Sequence, residues 1–309
     1  VKLRLRRMGW EAEGVLSLEL APLPGETLPG FTPGAHIDLA IPGVPMRQYS
    51  LCGDPADASV WRLAVREVFG GRTSRFIHAA LRPGALLEAS APRNNFPLID
   101  SKAYLFIAGG IGITPLLPMM RAAQRAGATW RLQYCVRQAE DAAFLPEIAS
   151  LGGQVEVHES GRGSRLDVTA MLREVPADTL LYCCGPESLM LAVEQATTHW
   201  PAGSVRFEWF APRQQSGDGV GGSFELVAAR SGLTLTVAPA QSVLQALRDA
   251  GIDIASSCEQ GVCGTCECRV LEGEVEHRDS ILSAAERATS EVMMSCVSRA
   301  RSARLVLDI

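Results

Sequence analysis

The sequence predicts a multidomain chain of β and α/β architecture. An antiparallel β-barrel is expected at residues 1–98, a doubly wound domain with a parallel sheet at 99–211, a linker at 212–222 and a small third domain at 223–309. Three observations carry this reading. Short β-rich runs separated by Pro and Gly turns fill the first third. Strand-like and helix-like segments alternate through the middle. Four cysteines crowd between positions 258 and 268, beyond a stretch almost free of apolar residues.

At 309 residues the chain exceeds what one hydrophobic core usually holds, so two or three domains are expected. A hydrophobic fraction of 47% and a charged fraction of 20% are those of a soluble folded protein. The formal net charge of -5 argues against nucleic acid as the main partner, because phosphate binding needs a basic surface. The longest apolar stretch, Ala103 to Met120, is broken by Gly109, Gly110, Gly112, Thr114 and Pro115, so no membrane span is expected. The first residues, VKLRLRRMGWEAEG, lack the apolar core of a secretory signal, and a cytoplasmic location is expected. Nine cysteines, an odd number unevenly spread, suggest a metal site rather than a disulfide framework.

Taken in order, VLSLELAPL, HIDLAIPG, RQYSLCG and WRLAVREV read as strands, punctuated by Pro22, Pro24, Pro29, Pro33, Pro42 and Pro45. Then YLFIAGG, WRLQYCV, QVEVHES and TLLYCCG read as strands. Each is followed by a helical segment: TPLLPMMRAAQRAG, DAAFLPEIASLG, LDVTAMLREV and ESLMLAVEQATTH. PRQQSGDGVGG reads as the linker. After it come a hairpin, SFELVAARSGLTLTVAP, a short helix, SVLQALRDAG, and the cysteine loop.

Cys258, Cys263 and Cys266 form C-x4-C-x2-C, and Cys296 supplies a distant fourth thiolate, the ligand spacing of a plant-type [2Fe–2S] cluster. Gly261 and Gly264 suit a loop whose backbone must approach sulfur. A zinc site and a set of buried thiols are the rival readings, although zinc sites usually pair two C-x2-C elements. Cys268 reads as a small core residue.

On the β-run RQYSLCG, Arg47-Gln48-Tyr49-Ser50 resembles the Arg-x-Tyr-Ser motif of the ferredoxin-reductase superfamily. The resemblance implies that Arg47 reaches a flavin phosphate, Tyr49 packs on the isoalloxazine and Ser50 lies near its N5. Those residue types suit the tasks: a fixed cation, an aromatic face and a hydroxyl. Gly70-Gly71-Arg72-Thr73-Ser74 feeds a helix start whose free N–H groups suit an anion, with Thr73 and Ser74 as extra hydroxyl donors. An ordinary helix cap is the alternative.

In the middle domain, Gly109-Gly110-Ile111-Gly112-Ile113-Thr114-Pro115 joins a strand to a helix in a dinucleotide-binding context. It resembles the AGGxGxTP segment of ferredoxin-reductase-like nicotinamide domains. Cys184-Gly185-Pro186 resembles the segment that borders the nicotinamide, which makes Cys184 a candidate for orienting that ring. Glu208, in Phe207-Glu208-Trp209-Phe210, resembles a carboxylate brought toward the flavin, although a rim charge reads equally well. Arg137 lies where the adenosine ribose is expected, with Asp141 nearby to repel a 2′-phosphate, which favours NADH.

The order of the three modules, with Pro92-Arg93-Asn94-Asn95-Phe96-Pro97-Leu98 between the first two, resembles the phthalate dioxygenase reductase family over essentially the whole chain. That resemblance implies a flavin-binding barrel, a nicotinamide domain and a C-terminal β-grasp ferredoxin domain. It further implies FMN, with FAD as the alternative, and electron delivery from NADH through the cluster to a Rieske-type terminal oxygenase. Ser50, Cys184 and Glu208 would serve catalysis mainly by positioning the rings. Two other functions fit the same residues: a reductase for a diiron monooxygenase, and a non-enzymatic iron–sulfur sensor.

Overall fold

A computed structural model gives the architecture, and it describes residues 1–212 and 222–309 and, at positions 284 and 285, the backbone alone. The linker expected at 212–222 thus lies almost wholly outside the described residues. The chain forms two compact units, Val1–Glu208 and Trp209–Ile309. Among the described residues no helix is long and apolar enough to cross a membrane.

The first unit opens with strands β1 (Lys2–Ala12), β2 (Val15–Pro22), β3 (His36–Ala40), β4 (Arg47–Ser50) and β5 (Trp61–Arg66), helix α1 (Arg72–Ala79) and strand β6 (Leu86–Ala89). The six strands form one antiparallel sheet in the order β4-β3-β6-β1-β2-β5. The two outer strands meet at a bridge between Leu51 and Leu63, and Cys52 N–H donates to Arg62 O at 2.8 Å, so the sheet closes into the expected barrel. Strands β1 and β6 are absent from the runs read off the sequence. In β1 the buried Leu3 and Leu5 alternate with exposed Lys2, Arg4 and Arg6, the period of a half-buried strand. Burying each leucine contributes about 2 kcal/mol.

The parallel sheet follows: β7 (Ala103–Gly109), α2 (Ile113–Arg125), β8 (Thr129–Val136), α3 (Leu145–Ala149), β9 (Gln154–Glu159), α4 (Val168–Met171), β10 (Thr179–Cys184), α5 (Glu187–Ala196) and β11 (Val205–Glu208). Its order is β11-β10-β7-β8-β9, so the chain leaves β7 in one direction and returns to its other side at β10. That reversal opens a crevice beyond the carboxyl ends of β7 and β10. Helices α3 and α4 are shorter than the sequence suggests. One apolar core runs from Ala12, Val15, Cys52 and Ala64 of the barrel into Leu116, Met119 and Met120 of α2. Phe96 meets Tyr182 edge to face at 5.3 Å, fixing the connecting segment to the parallel sheet.

The second unit holds β12 (Phe224–Ala228), β13 (Leu233–Val237), α6 (Val243–Asp249), β14 (Glu267–Glu272), β15 (Val275–Glu276), α7 (Ala284–Thr289), β16 (Val292–Met294), β17 (Arg299–Ala300) and β18 (Arg304–Leu307). Five strands form a mixed sheet, β13-β12-β18-β14-β16, and α6 packs Val243, Ala246 and Leu247 onto its apolar face, the β-grasp arrangement. Ser242 caps α6 by accepting from Gln245 N–H at 3.1 Å. Arg299 is 3% exposed and donates to the carbonyls of Gly222 and Ala238, pinning the start of this unit to its core.

Candidate redox site

The cysteine loop brings Cys258, Cys263 and Cys266 together with the distant Cys296. Cys258 hydrogen-bonds Cys263, and Cys266 hydrogen-bonds Cys296, so the sulfurs stand as two neighbouring pairs. The Cys258 partner and the Thr265 hydroxyl, 3.2 Å from its sulfur, bring Cys263 down to about 4. The Cys296 partner brings Cys266 down to about 7. Cys258 and Cys296 are pushed up, each chiefly by the hydrogen bond to its partner. Gln260 N–H donates to Cys258 Sγ at 3.3 Å. Glu259, Gly261 and Gly264 have φ of 52°, 70° and 73°, the left-handed turns that wrap backbone around the sulfurs. Two thiol pairs inside a loop that offers N–H donors to sulfur fit a bridged two-iron cluster. Cys268 is buried in the sheet core, its thiol pointing at Cys266 O, in keeping with a packing role.

In the first unit, Arg47 is exposed and Tyr49 half-buried against the barrel core. Burial pushes the Tyr49 phenol up to about 12, against the pull of Arg47. Thr73 Oγ1 donates to Pro45 O at 2.8 Å, tying the start of α1 to the segment that leads into Arg47. The two motifs far apart in sequence thus meet, and Arg72 stands exposed at the first helical position. Thr73 and Ser74, expected as hydroxyl donors to a phosphate, are engaged with backbone groups. Thr73 directs its proton to Pro45 O, while Ser74 Oγ accepts from Val68 N–H at 3.1 Å and donates to Gly71 O at 3.4 Å. Both side chains are buried. Neither caps the helix, for Gly71 holds the cap position without a side-chain bond. A Cβ on Gly71 would come within 2.6 Å of Ser74 Oγ. Arg47, Arg72 and the open N–H groups of the first helical turn remain as a donor set that fits a flavin phosphate.

The barrel and the parallel sheet share a polar contact: Ser50 Oγ donates to Glu208 Oε2 at 3.3 Å. Glu208 pairs in register with Cys184 at the ends of β11 and β10. Burial pushes the Glu208 carboxyl up to about 8, the Ser50 hydrogen bond acting in the opposite direction. Cys184 is fully buried, and its thiol is pushed well above the ordinary value by burial and then by Glu208. It is a neutral thiol.

The crevice between β7 and β10 is built on close backbone approach. A Cβ on Gly109 would lie 2.3 Å from Pro186 Cδ, and one on Gly112 would lie 2.2 Å from Cys184 O. These two glycines therefore serve the packing of one turn on the other. Gly110, at φ 52°, is the open one, with Arg66 Nη1 3.7 Å from its Cβ direction. Thr114 is buried and donates to Ile111 O at 3.0 Å, which fixes the turn. Gly185 packs against Gly109. A cleft of about 520 Å³ opens beyond these turns, lined by Gly110, Arg137, Ser160, Arg165 and Pro186 among others. Cys184 does not line it. The Asp141 carboxylate accepts from Gln138 N–H at 3.1 Å within its own turn, so it is only partly available to act on a nucleotide. Arg66 and Arg165 are cleft residues that the sequence reading missed. Arg66 alternates outward at the end of a barrel strand, and only the packing of barrel on sheet reveals its place.

Residues 227–301 match the family model for a 2Fe-2S iron-sulfur cluster binding domain, and residues 106–195 match that for an oxidoreductase NAD-binding domain. The chain is 37% identical to the phthalate dioxygenase reductase of Burkholderia cepacia over 306 residues, covering 96% of this chain and 94% of that protein. Its fold superposes on the crystal structure of a phthalate dioxygenase reductase with a TM-score of 0.71 at 35% identity, covering 100% of this chain and 98% of the other. It also superposes on an intact type IV self-sufficient cytochrome P450 monooxygenase with a TM-score of 0.91 at 40% identity. There it covers 100% of this chain but 41% of the P450 chain. The cysteine loop, the nicotinamide crevice and these full-length likenesses together establish that the chain belongs to the phthalate dioxygenase reductase family and is an NADH-dependent iron–sulfur oxidoreductase.

Proposed function

We propose that the chain takes reducing equivalents from NADH, holds them on FMN and passes single electrons through a [2Fe–2S] cluster to a Rieske-type terminal oxygenase. When bound, a flavin supplies the conversion of a two-electron donor into one-electron steps, and the cluster supplies one-electron transfer. The observation that carries the reading is the meeting of Ser50, from the barrel, with Glu208, which pairs with Cys184 at the carboxyl ends of β11 and β10.

Each residue has a positional task. Arg47 and Arg72, with the start of α1, hold the single phosphate of FMN, and Tyr49 lies against the ring. Ser50 presents its hydroxyl on the side where Glu208 holds a proton near neutral pH. The Gly109–Gly112 and Cys184–Pro186 turns set the floor of the crevice, and Arg137 steadies the adenosine end of NADH. Cys258, Cys263, Cys266 and Cys296 ligate the cluster. None of the nine cysteines forms a disulfide.

A second reading of the partner has specific support: the likeness to a P450 chain at a TM-score of 0.91 favours a haem oxygenase as acceptor. Turnover assays decide between them. Purified protein with NADH should support product formation by a Rieske oxygenase, and a separately supplied P450 should gain less from it. The opposite ranking would transfer the proposal to the haem acceptor. Flavin released by heat and run on a chromatography column should comigrate with FMN.

A further inference from the structure

Behind the cysteine loop lies a buried acid that none of the steps above employs. Asp279, between β15 and α7, is 1% exposed. Its Oδ1 accepts from Ile281 N–H at 3.0 Å and Leu282 N–H at 2.8 Å. Arg287, from α7, donates to the Asp279 carbonyl at 2.7 Å and stands 3.8 Å from Oδ1. His277 brings Nδ1 to 3.7 Å from Oδ2, and burial holds its ring below the ordinary histidine value, against the pull of Asp279. Asp279 Oδ2 and Arg287 Nε are buried without a hydrogen-bond partner among the described residues.

The turn that this carboxylate folds presses on the cysteine loop. Ser280 N–H donates to Gly261 O at 2.8 Å. A Cβ on Gly261 would meet Asp279 Cα at 3.0 Å and Val297 Cγ2 at 2.7 Å. Gly261 lies between Cys258 and Cys263, and Val297 follows Cys296, so this contact touches both ends of the ligand set.

We propose that Asp279 is a positioning residue for the iron–sulfur loop, folding the turn that clasps Gly261, and that its charge sets the ease with which the cluster accepts an electron. The proposal rests on the four cysteines being the cluster ligands. A carboxylate with two backbone N–H bonds shapes the turn by its acceptors, and its charge is a separate property. The nearest cation, Arg287, has a side chain 29% exposed, so solvent screens it in part, whereas Asp279 is sealed from water. Arg287 thus offsets only part of the negative charge, and the remainder opposes reduction of the cluster.

Redox titration of the full chain, read by electron paramagnetic resonance with iron and sulfide analysis, tests both parts. Asp279→Asn keeps an acceptor and removes the charge. It should retain full iron and the native line shape while its midpoint potential rises, and the exposed control Glu272→Gln should leave the potential in place. Asp279→Ala should lose iron or change the line shape. Arg287→Gln, which removes the cation, should lower the potential, and it keeps the charge claim testable if Asp279→Asn fails to load. An iron-replete Asp279→Asn protein at the native potential, or an Arg287→Gln protein whose potential does not fall, overturns the electrostatic part. An Asp279→Ala protein with full iron and a native spectrum overturns the positioning part. A wild-type protein without iron would instead overturn the ligand assignment.

Discussion

Ser50 Oγ donates to Glu208 Oε2 at 3.3 Å across 158 residues of sequence, joining the barrel to the last strand of the parallel sheet. Removing that hydroxyl should slow hydride transfer from NADH by roughly tenfold, the equivalent of a hydrogen bond to an ionisable group. Stopped-flow measurement of flavin bleaching in Ser50→Ala protein checks this, with little change expected in NADH affinity.

The elevated carboxyl of Glu208 has a consequence for stability. An unfolded glutamate titrates near 4.3, whereas in the fold this group holds its proton up to about pH 8. The folded state therefore binds more protons between these values. The contribution is fully present below about pH 4.3 and is lost as pH rises toward 8. Urea denaturation at a series of pH values should show a downward slope over this window that flattens in Glu208→Gln protein.

Arg62 links the barrel to the parallel sheet within the first unit. It donates to Glu147 at 2.8 Å and to Glu11 at 3.0 Å, with its guanidinium 4.5 Å from the centre of the Phe144 ring. Arg121 pairs with the same Glu147. Arg62→Ala should cost about 2–3 kcal/mol, less than for a fully sealed pair because some water reaches the group. A matched shift in the urea midpoint is the expected readout.

Two glycines of the nucleotide turn should behave differently. Gly112→Ala would drive a methyl into Cys184 O and should reduce NADH turnover roughly tenfold or more. Gly110→Ala meets only an ordinary contact with Arg66 and costs about 1–2 kcal/mol for its left-handed backbone. Steady-state kinetics with ferricyanide as acceptor separates the two.

What could be read in the sequence follows the range of the interactions involved. The iron–sulfur loop was legible because C-x4-C-x2-C and its glycines are local, and the alternation of strands and helices revealed the parallel sheet. Strand β1 carries a local signal too, Leu3 and Leu5 alternating with Lys2, Arg4 and Arg6, yet it is absent from the strand runs read off the sequence. Barrel closure at Leu51 and Leu63, the Ser50–Glu208 contact and the reach of Arg66 to Gly110 each depend on how distant segments pack. The hydroxyls of Thr73 and Ser74 show the reverse case. Their types suited a phosphate site, but nearby backbone groups claimed them first.

Anaerobic titration with NADH, followed by visible absorbance and electron paramagnetic resonance, tests the account most directly. Both the flavin bands and the cluster bands should bleach, two electrons settling at the flavin and one at the cluster, with a paramagnetic signal of a reduced [2Fe–2S] centre. Bleaching confined to the flavin in iron-replete protein, with no such signal, would contradict it.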